Sequence, residues 1–422
     1  MVPIEELERF NPWWKRGEVP LEWTKEYRRN LYFSIERYID RRQIILVHGL
    51  RRVGKTTLMM QVIHHLLTKV NPKNILYFSF DDLTFGIKDV IESYQKFILH
   101  KTIEESLEPI YLFFDEIQKQ DDWENTLKTY YDLHSNTRFF LSGSASAGLR
   151  KRSTESLAGR VLDFTLKPLS FEEFLELNGK KTDDIKKDAD LWKREIVPLF
   201  YRYLKYGMFP ELALETDEDF AKKYLQNTII ERVIYRDLPE EFGIKDLELL
   251  KNIISLIGKH PGMIVRYSEI AKNLGRDQRT VANYFEYLEY GLLLQFVFNY
   301  RGSALASMRK LKKVYFSSPN FAFASNPDLD RVLPLMLENL VASQTGAKFF
   351  YRNGFEVDFI TETESGLVAI EVKKSKQDVK QLKQFIEKFG DKTIDACVLD
   401  AEGEGEKDGV RIIPIWKFLL GV

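Results

Sequence analysis

Ile44-Ile45-Leu46-Val47-His48-Gly49-Leu50-Arg51-Arg52-Val53-Gly54-Lys55-Thr56-Thr57 runs from an apolar, β-branched stretch through a loop bounded by two glycines into an apolar helical pattern over residues 58–67. The order strand, glycine loop, helix is the context that a phosphate-binding loop requires. Gly49 and Gly54 permit tight backbone turns, and the amides of Arg51, Arg52 and Val53 between them can face phosphate oxygens. Lys55 can reach the β and γ oxygens. Thr56 carries a hydroxyl suited to Mg²⁺, and Thr57 follows it in the first turn of the helix. ATP or GTP is the expected ligand.

Further along, residues 74–80, 110–114 and 138–142 repeat the apolar strand pattern, separated by helical stretches. Buried strands alternating with helices predict a parallel sheet covered on both faces. The strand over 110–114 runs into Asp115-Glu116-Ile117-Gln118, which puts two carboxylates at the sheet's C-terminal edge, where ligands of such sheets bind. Asp115 is expected to hold Mg²⁺ together with Thr56, and Glu116 to orient or deprotonate the attacking water. The next strand ends in Ser142-Gly143-Ser144-Ala145-Ser146, offering Ser142 or Ser144 as a sensor of the γ-phosphate or the water. Arg160, in Leu157-Ala158-Gly159-Arg160, can neutralise phosphoryl charge in its own chain or in a neighbour.

Composition sets wider bounds. The 422 residues, 44% hydrophobic and 30% charged, exceed what one core ordinarily organises. With 62 basic against 63 acidic residues the formal charge is −1, so any attraction to nucleic acid rests on local patches. Such patches are Arg150, Lys151 and Arg152, and Arg309, Lys310, Lys312 and Lys313. One cysteine, Cys397, excludes an intramolecular disulfide, and no basic-then-apolar leader is visible, which together predict a cytoplasmic protein. No apolar run approaches the roughly 20 residues of a membrane span. Residues 1–40, with Trp13, Trp14 and Trp23 ahead of a helical pattern over 25–38, read as a packing brace.

After an aromatic helical stretch over 192–242, helices are expected over 247–258, 268–274 and 277–290, with Ser268 as an N-cap and Gly275 as a breaker, then strands over 292–299 and 313–317. That order is a winged-helix pattern. Its third helix would offer Arg276, Gln278 and Arg279 to a DNA groove. The last region holds Glu338 in a helical stretch, Phe355-Glu356-Val357-Asp358-Phe359-Ile360, and Leu367-Val368-Ala369-Ile370-Glu371-Val372-Lys373. Alternation puts Glu356 with Asp358, and Glu371 with Lys373, on single strand faces. Glu338, Asp358 and Glu371 then form an expected Mg²⁺ site with Lys373 beside the attacking water, the ingredients of a nuclease. A helix over 378–389 and a strand over 396–399 would complete that core.

The phosphate loop, Asp115-Glu116-Ile117-Gln118, Gly143-Ser144-Ala145-Ser146, Leu157-Ala158-Gly159-Arg160 and Pro168-Leu169-Ser170-Phe171 follow one another in an order that resembles the archaeal and bacterial AAA-type P-loop ATPase family with a winged-helix segment and a C-terminal restriction-endonuclease-like domain. The likeness spans roughly residues 30–420. It implies an α/β chain in three parts: a P-loop parallel-sheet ATPase domain over 1–195, a helical and winged-helix middle over 196–305, and an α/β restriction-endonuclease-like domain over 306–422. The expected activity is ATP hydrolysis with Mg²⁺, coupled to DNA binding or processing, in a chain with no membrane partner that can form a homo-oligomer. A second expectation is an ATP-controlled regulatory switch whose C-terminal domain is a protein-interaction scaffold without catalysis.

Overall fold

The computed structural model describes residues 1–81, 85–144, 157–302, 311–326, 328–375 and 378–422. They group into two compact units, Met1–Lys167 and Pro168–Val422.

The first unit is built on five strands, β1 (Ile44–His48), β2 (Ile75–Ser79), β3 (Ile110–Asp115), β4 (Thr137–Gly143) and β5 (Val161–Thr165). They form one sheet in the order β2-β3-β4-β1-β5, and every pairing is parallel. Every residue of β1 and β3 is buried, so their continuous apolar runs are strands covered on both faces. β5 was not foreseen, because Asp163 interrupts Val161-Leu162-Asp163-Phe164-Thr165 and this edge strand, with none of its residues fully buried, lacks the continuous apolar run of the central strands. The helix Lys55–Leu66 begins three residues earlier than the apolar pattern predicts. Its first turn is polar because it faces the site.

The N-terminal residues brace this sheet as expected. Trp13 and Trp14 each donate an indole N–H to the Ile75 carbonyl, at 3.1 and 2.8 Å. Asn11 exchanges bonds with Tyr77, its amide oxygen accepting the Tyr77 N–H at 2.7 Å. The core beneath the sheet gathers Leu7, Leu46, Phe78, Phe80, Leu112, Phe114 and Trp123, all buried.

The second unit holds a nine-stranded mixed sheet. Its strands are β6 (Met263–Ile264), β7 (Leu294–Asn299), β8 (Lys312–Phe316), β9 (Phe349–Arg352), β10 (Glu356–Glu362), β11 (Leu367–Lys373), β12 (Thr393–Asp400), β13 (Gly405–Lys407) and β14 (Val410–Pro414), in the order β13-β14-β12-β11-β10-β9-β7-β8-β6. β9, a strand the sequence did not announce, pairs with β7 on one side and β10 on the other, and so joins the strands expected for a wing to those expected for a nuclease-like core. One sheet therefore crosses position 305, where the sequence placed a boundary.

The three expected helices are present as Leu247–Lys259, Tyr267–Leu274 and Gln278–Tyr290. Ser268 is not the cap of the second. That helix starts at Tyr267 behind Arg266, without a side-chain cap. Asp277 caps the third, accepting the N–H groups of Arg279 and Thr280 at 2.8 and 3.2 Å. Gly275, at φ 62°, ends the second helix in the left-handed region that glycine adopts without strain.

Candidate nucleotide site

β1, β3 and β4 end at the same edge of the parallel sheet, and the loop after β1 returns there as the helix Lys55–Leu66. Gly49 lies so close to the chain after β5 that a Cβ would meet the Leu166 carbonyl oxygen at 2.3 Å. No other residue fits without moving backbone. Arg52 at φ 65° and Gly54 at φ 98° turn the loop back on itself, with Val53 fully buried between them. Lys55 is 7% exposed, and its ammonium donates to the carbonyls of Gly49 and Leu50 at 3.0 Å each. Arg51 and Thr57 are half-buried and Arg52 is exposed.

Opposite the loop, Asp115 is a heavily hydrogen-bonded carboxylate. Its Oδ2 accepts the Thr56 hydroxyl at 2.6 Å and the Tyr77 hydroxyl at 3.0 Å, while Oδ1 accepts the Glu116 N–H at 3.0 Å and the Ser142 hydroxyl. Four donors on one buried carboxylate fix its orientation. Burial, then the negative Asp115 beside it, holds the Tyr77 phenol well above its ordinary pKa, so Tyr77 stays a donor. Glu116 follows at φ 53°, a left-handed conformation that costs a non-glycine residue of order 1–3 kcal/mol unless its surroundings impose it. Its Oε2 accepts the Gln118 amide at 2.5 Å and the Ser144 hydroxyl at 3.1 Å.

Lys55, Thr56, Asp115, Glu116, Ser142 and Ser144 thus converge at one edge. Arg160 does not. It precedes β5, whose Val161 pairs with Ile44, so it lies at the opposite edge from the phosphate loop. There its guanidinium holds both oxygens of Asp132, at 3.0 and 3.2 Å. Three further residues escaped the sequence reading. Tyr77 and Gln118 carry polar groups inside apolar or turn patterns, and nothing in their spacing marks them. Arg29 donates to the Val53 carbonyl at 3.0 Å and the Lys167 carbonyl at 2.9 Å, tying the N-terminal brace to the loop. Asp82, Ser146, Arg150, Lys151, Arg152, Arg309 and Lys310 lie outside the described residues.

The second unit gathers the acids expected of a nuclease around a lysine that was expected in a basic patch. Lys313, 4% exposed, reaches Glu356 at 2.8 Å, Glu338 at 3.0 Å and Asp358 at 3.7 Å. Tyr315 donates to Glu338 at 2.5 Å, and Asp358 Oδ2 accepts the Val372 N–H at 2.9 Å. Glu371 is paired instead with Lys373, at 2.7 Å. Burial raises the Glu338 pKa, and its three neighbouring carboxylates hold the Lys313 ammonium protonated against the cost of its own burial. Burial, with Asp358 adding to it, pushes Glu371 up to about 9. Among the described residues no group of three His, Cys, Asp or Glu side chains is disposed to hold a metal ion, and the carboxylates expected as ligands are engaged by lysines, Glu338 and Asp358 by Lys313 and Glu371 by Lys373. Lys312 is also no part of an open patch, since its ammonium sits 3.8 Å from the centre of the Phe296 ring. Above Lys313, a cavity of about 530 Å³ is lined by Arg266, Glu269, Glu338, Arg352 and Glu356. Arg276 is bound to Asp246 at 2.7 Å, whereas Gln278 and Arg279 are exposed.

Residues 41–175 match the family model described as an AAA domain, and residues 197–322 and 335–418 match two domains of unknown function (DUF8612 and DUF4143). An uncharacterized protein of Methanocaldococcus jannaschii is 31% identical over 307 residues, covering 67% of this chain and 63% of that protein. A second from the same organism is 26% identical over 412 residues, covering 90% and 88%. An uncharacterized protein of Haemophilus influenzae is 29% identical over 276 residues, covering 63% and 65%. The chain therefore spans less than two thirds of the first and third of these relatives. Among the described residues no helix is long and apolar enough to cross a membrane.

Proposed function

We propose that this chain, an AAA-type P-loop protein over residues 41–175, binds ATP at residues 49–57 and hydrolyses it at the sheet edge formed by β1, β3 and β4. The observation that carries this reading is the approach of Thr56 to Asp115 at 2.6 Å, with Glu116 and Ser144 joined beside them at 3.1 Å. Lys55 is held on its own loop, so its ammonium needs to turn only from two carbonyls to phosphate oxygens. Thr56 and Asp115 supply the hard oxygen ligands that suit Mg²⁺, which in such sites neutralises charge on the phosphoryl oxygens. Glu116 is the base that takes the proton of the attacking water, and Ser144 steadies it. Replacement separates binding from chemistry. Lys55→Ala abolishes ATP binding, while Glu116→Gln keeps it and lowers turnover by roughly 100-fold or more, read by ATP-dependent thermal shift and by phosphate release. Full turnover in Glu116→Gln removes Glu116 from the role.

For the second unit the proposal is DNA engagement through the N-terminal end of the helix Gln278–Tyr290, supported by the exposed Gln278 and Arg279. DNA cleavage by Glu338, Asp358, Glu371 and Lys373 is not the reading the geometry favours, because the Lys313 ammonium stands among Glu338, Glu356 and Asp358, and Glu371 is paired with Lys373. That same ammonium favours a second reading, in which the nuclease-like sheet is a scaffold governed by the ATPase.

A further inference from the structure

The short 3₁₀ turn Ile117–Lys119 begins directly after Glu116, whose left-handed backbone swings the chain back across the sheet edge. That turn brings Gln118 alongside the carboxylate two residues before it. The Gln118 amide nitrogen lies 2.5 Å from Glu116 Oε2 and 3.1 Å from Ser144 Oγ, and the Ser144 hydroxyl itself reaches Glu116 Oε2 at 3.1 Å. The three side chains close a triangle. One oxygen of Glu116 receives both bonds, one from its own strand's turn and one from the residue that follows β4, while none of the described residues donates to the other oxygen, Oε1.

We propose that Gln118 is a positioning residue for hydrolysis: it anchors Glu116 Oε2 so that Oε1 is presented to the attacking water. The inference rests on the reading of Glu116 as the base and adds how that base is aimed. Three features argue for an aiming role over simple turn chemistry. A turn glutamine that only solvates itself has no need of a carboxylate and a hydroxyl from another strand. The αL backbone at Glu116 is a strained state, and such states persist where surrounding bonds over-determine them. A carboxylate on a rotatable side chain gains reactivity from being held in one orientation, since misplacement of a catalytic group by about 1 Å can cost of order 100-fold in rate. Ser144 alone leaves the carboxylate free to pivot about a single bond; Gln118 supplies the second.

The test is a double-mutant cycle in the full chain. Gln118→Leu, close in size but unable to donate, should lower kcat roughly 10- to 100-fold while the KM for ATP and the ATP-induced rise in Tm stay within about twofold of wild type. Introduced into Glu116→Gln, the same change should leave the residual single-turnover rate unaltered, because Gln118 acts through Glu116. Gln118→Glu, which sets a second carboxylate against the first, should be at least as slow as Gln118→Leu. The proposal is overturned if Gln118→Leu retains kcat within about threefold, if it slows Glu116→Gln by the same factor as wild type, or if it abolishes the ATP-induced shift. Full turnover in Glu116→Gln is a different result: it overturns the assignment of the base itself.

Discussion

At the residue scale the chain puts ionisable groups into apolar surroundings and compensates them unequally. Asp115 has four hydrogen-bond donors and Lys313 has three carboxylates, whereas Glu371, 1% exposed, has the Lys373 ammonium on one oxygen and only the neutral Gln381 amide, at 2.9 Å, on the other. Desolvation therefore dominates at Glu371 and raises its pKa from 4.5 to about 9, with Asp358 adding to the rise and Lys373 partly opposing it. The sign of the consequence follows from proton counting. Between those two values the folded chain holds a proton on Glu371 that the unfolded chain has released, so unfolding releases a proton and stability falls as pH rises through the window. Below the lower value both states are protonated and the contribution is constant. Tm measured across pH 5 to 9 should decline, and Glu371→Gln, which mimics the protonated acid, should flatten the decline. A profile identical in the two proteins would show that Glu371 ionises as an ordinary surface acid does.

At the element scale the helix Gln278–Tyr290 shows how one residue sets both stability and presentation. Asp277 satisfies two of the N–H groups that a helix start leaves unpaired, and its neighbours Gln278 and Arg279 are thereby held on the first exposed turn. Asp277→Ala should lower the unfolding free energy by about 1 kcal/mol. Arg279→Ala should change stability by less than about 0.5 kcal/mol, since it is a surface substitution away from packing. The two are to be compared by denaturant unfolding and by titration with duplex DNA over a range of salt. The DNA proposal expects Arg279→Ala to weaken binding and reduce its salt slope by about one phosphate contact. Binding unchanged in Arg279→Ala, or absent in wild type, would leave the scaffold reading in its place.

At the scale of the whole molecule, the position of Arg160 bears on assembly. A guanidinium at the N-terminal edge of the sheet is separated from its own phosphate loop by the length of β5, five residues or roughly 16 Å of strand. If it takes part in hydrolysis, it serves the site of a second copy. ATPase rate per chain should then rise with protein concentration, and mixing Arg160→Ala with Lys55→Ala chains should restore activity at hybrid interfaces, where an intact loop meets an intact arginine. A rate independent of concentration, with no recovery on mixing, would make the Asp132 ion pair the whole of its role.

The phosphate loop, the acids at the end of β3 and the parallel sheet were legible in the sequence because each is a local matter: a β-branched run buried on both faces, a glycine-bounded turn between strand and helix, a carboxylate at the end of a strand. The three middle helices were legible for the same reason, through their periodicity and the breaker at Gly275. What tertiary structure alone decided was partnership. Alternation correctly put Glu356 with Asp358 on one face but could not say that Lys313, more than forty residues away in sequence, would stand among them. Nor could it place Tyr77 on Asp115, Gln118 on Glu116, or Arg160 at the far edge of the sheet. A side chain's chemistry is fixed by its own residue, but the ionic and hydrogen-bonding company it keeps is set by strand order and register, which bring together segments that no sequence window contains.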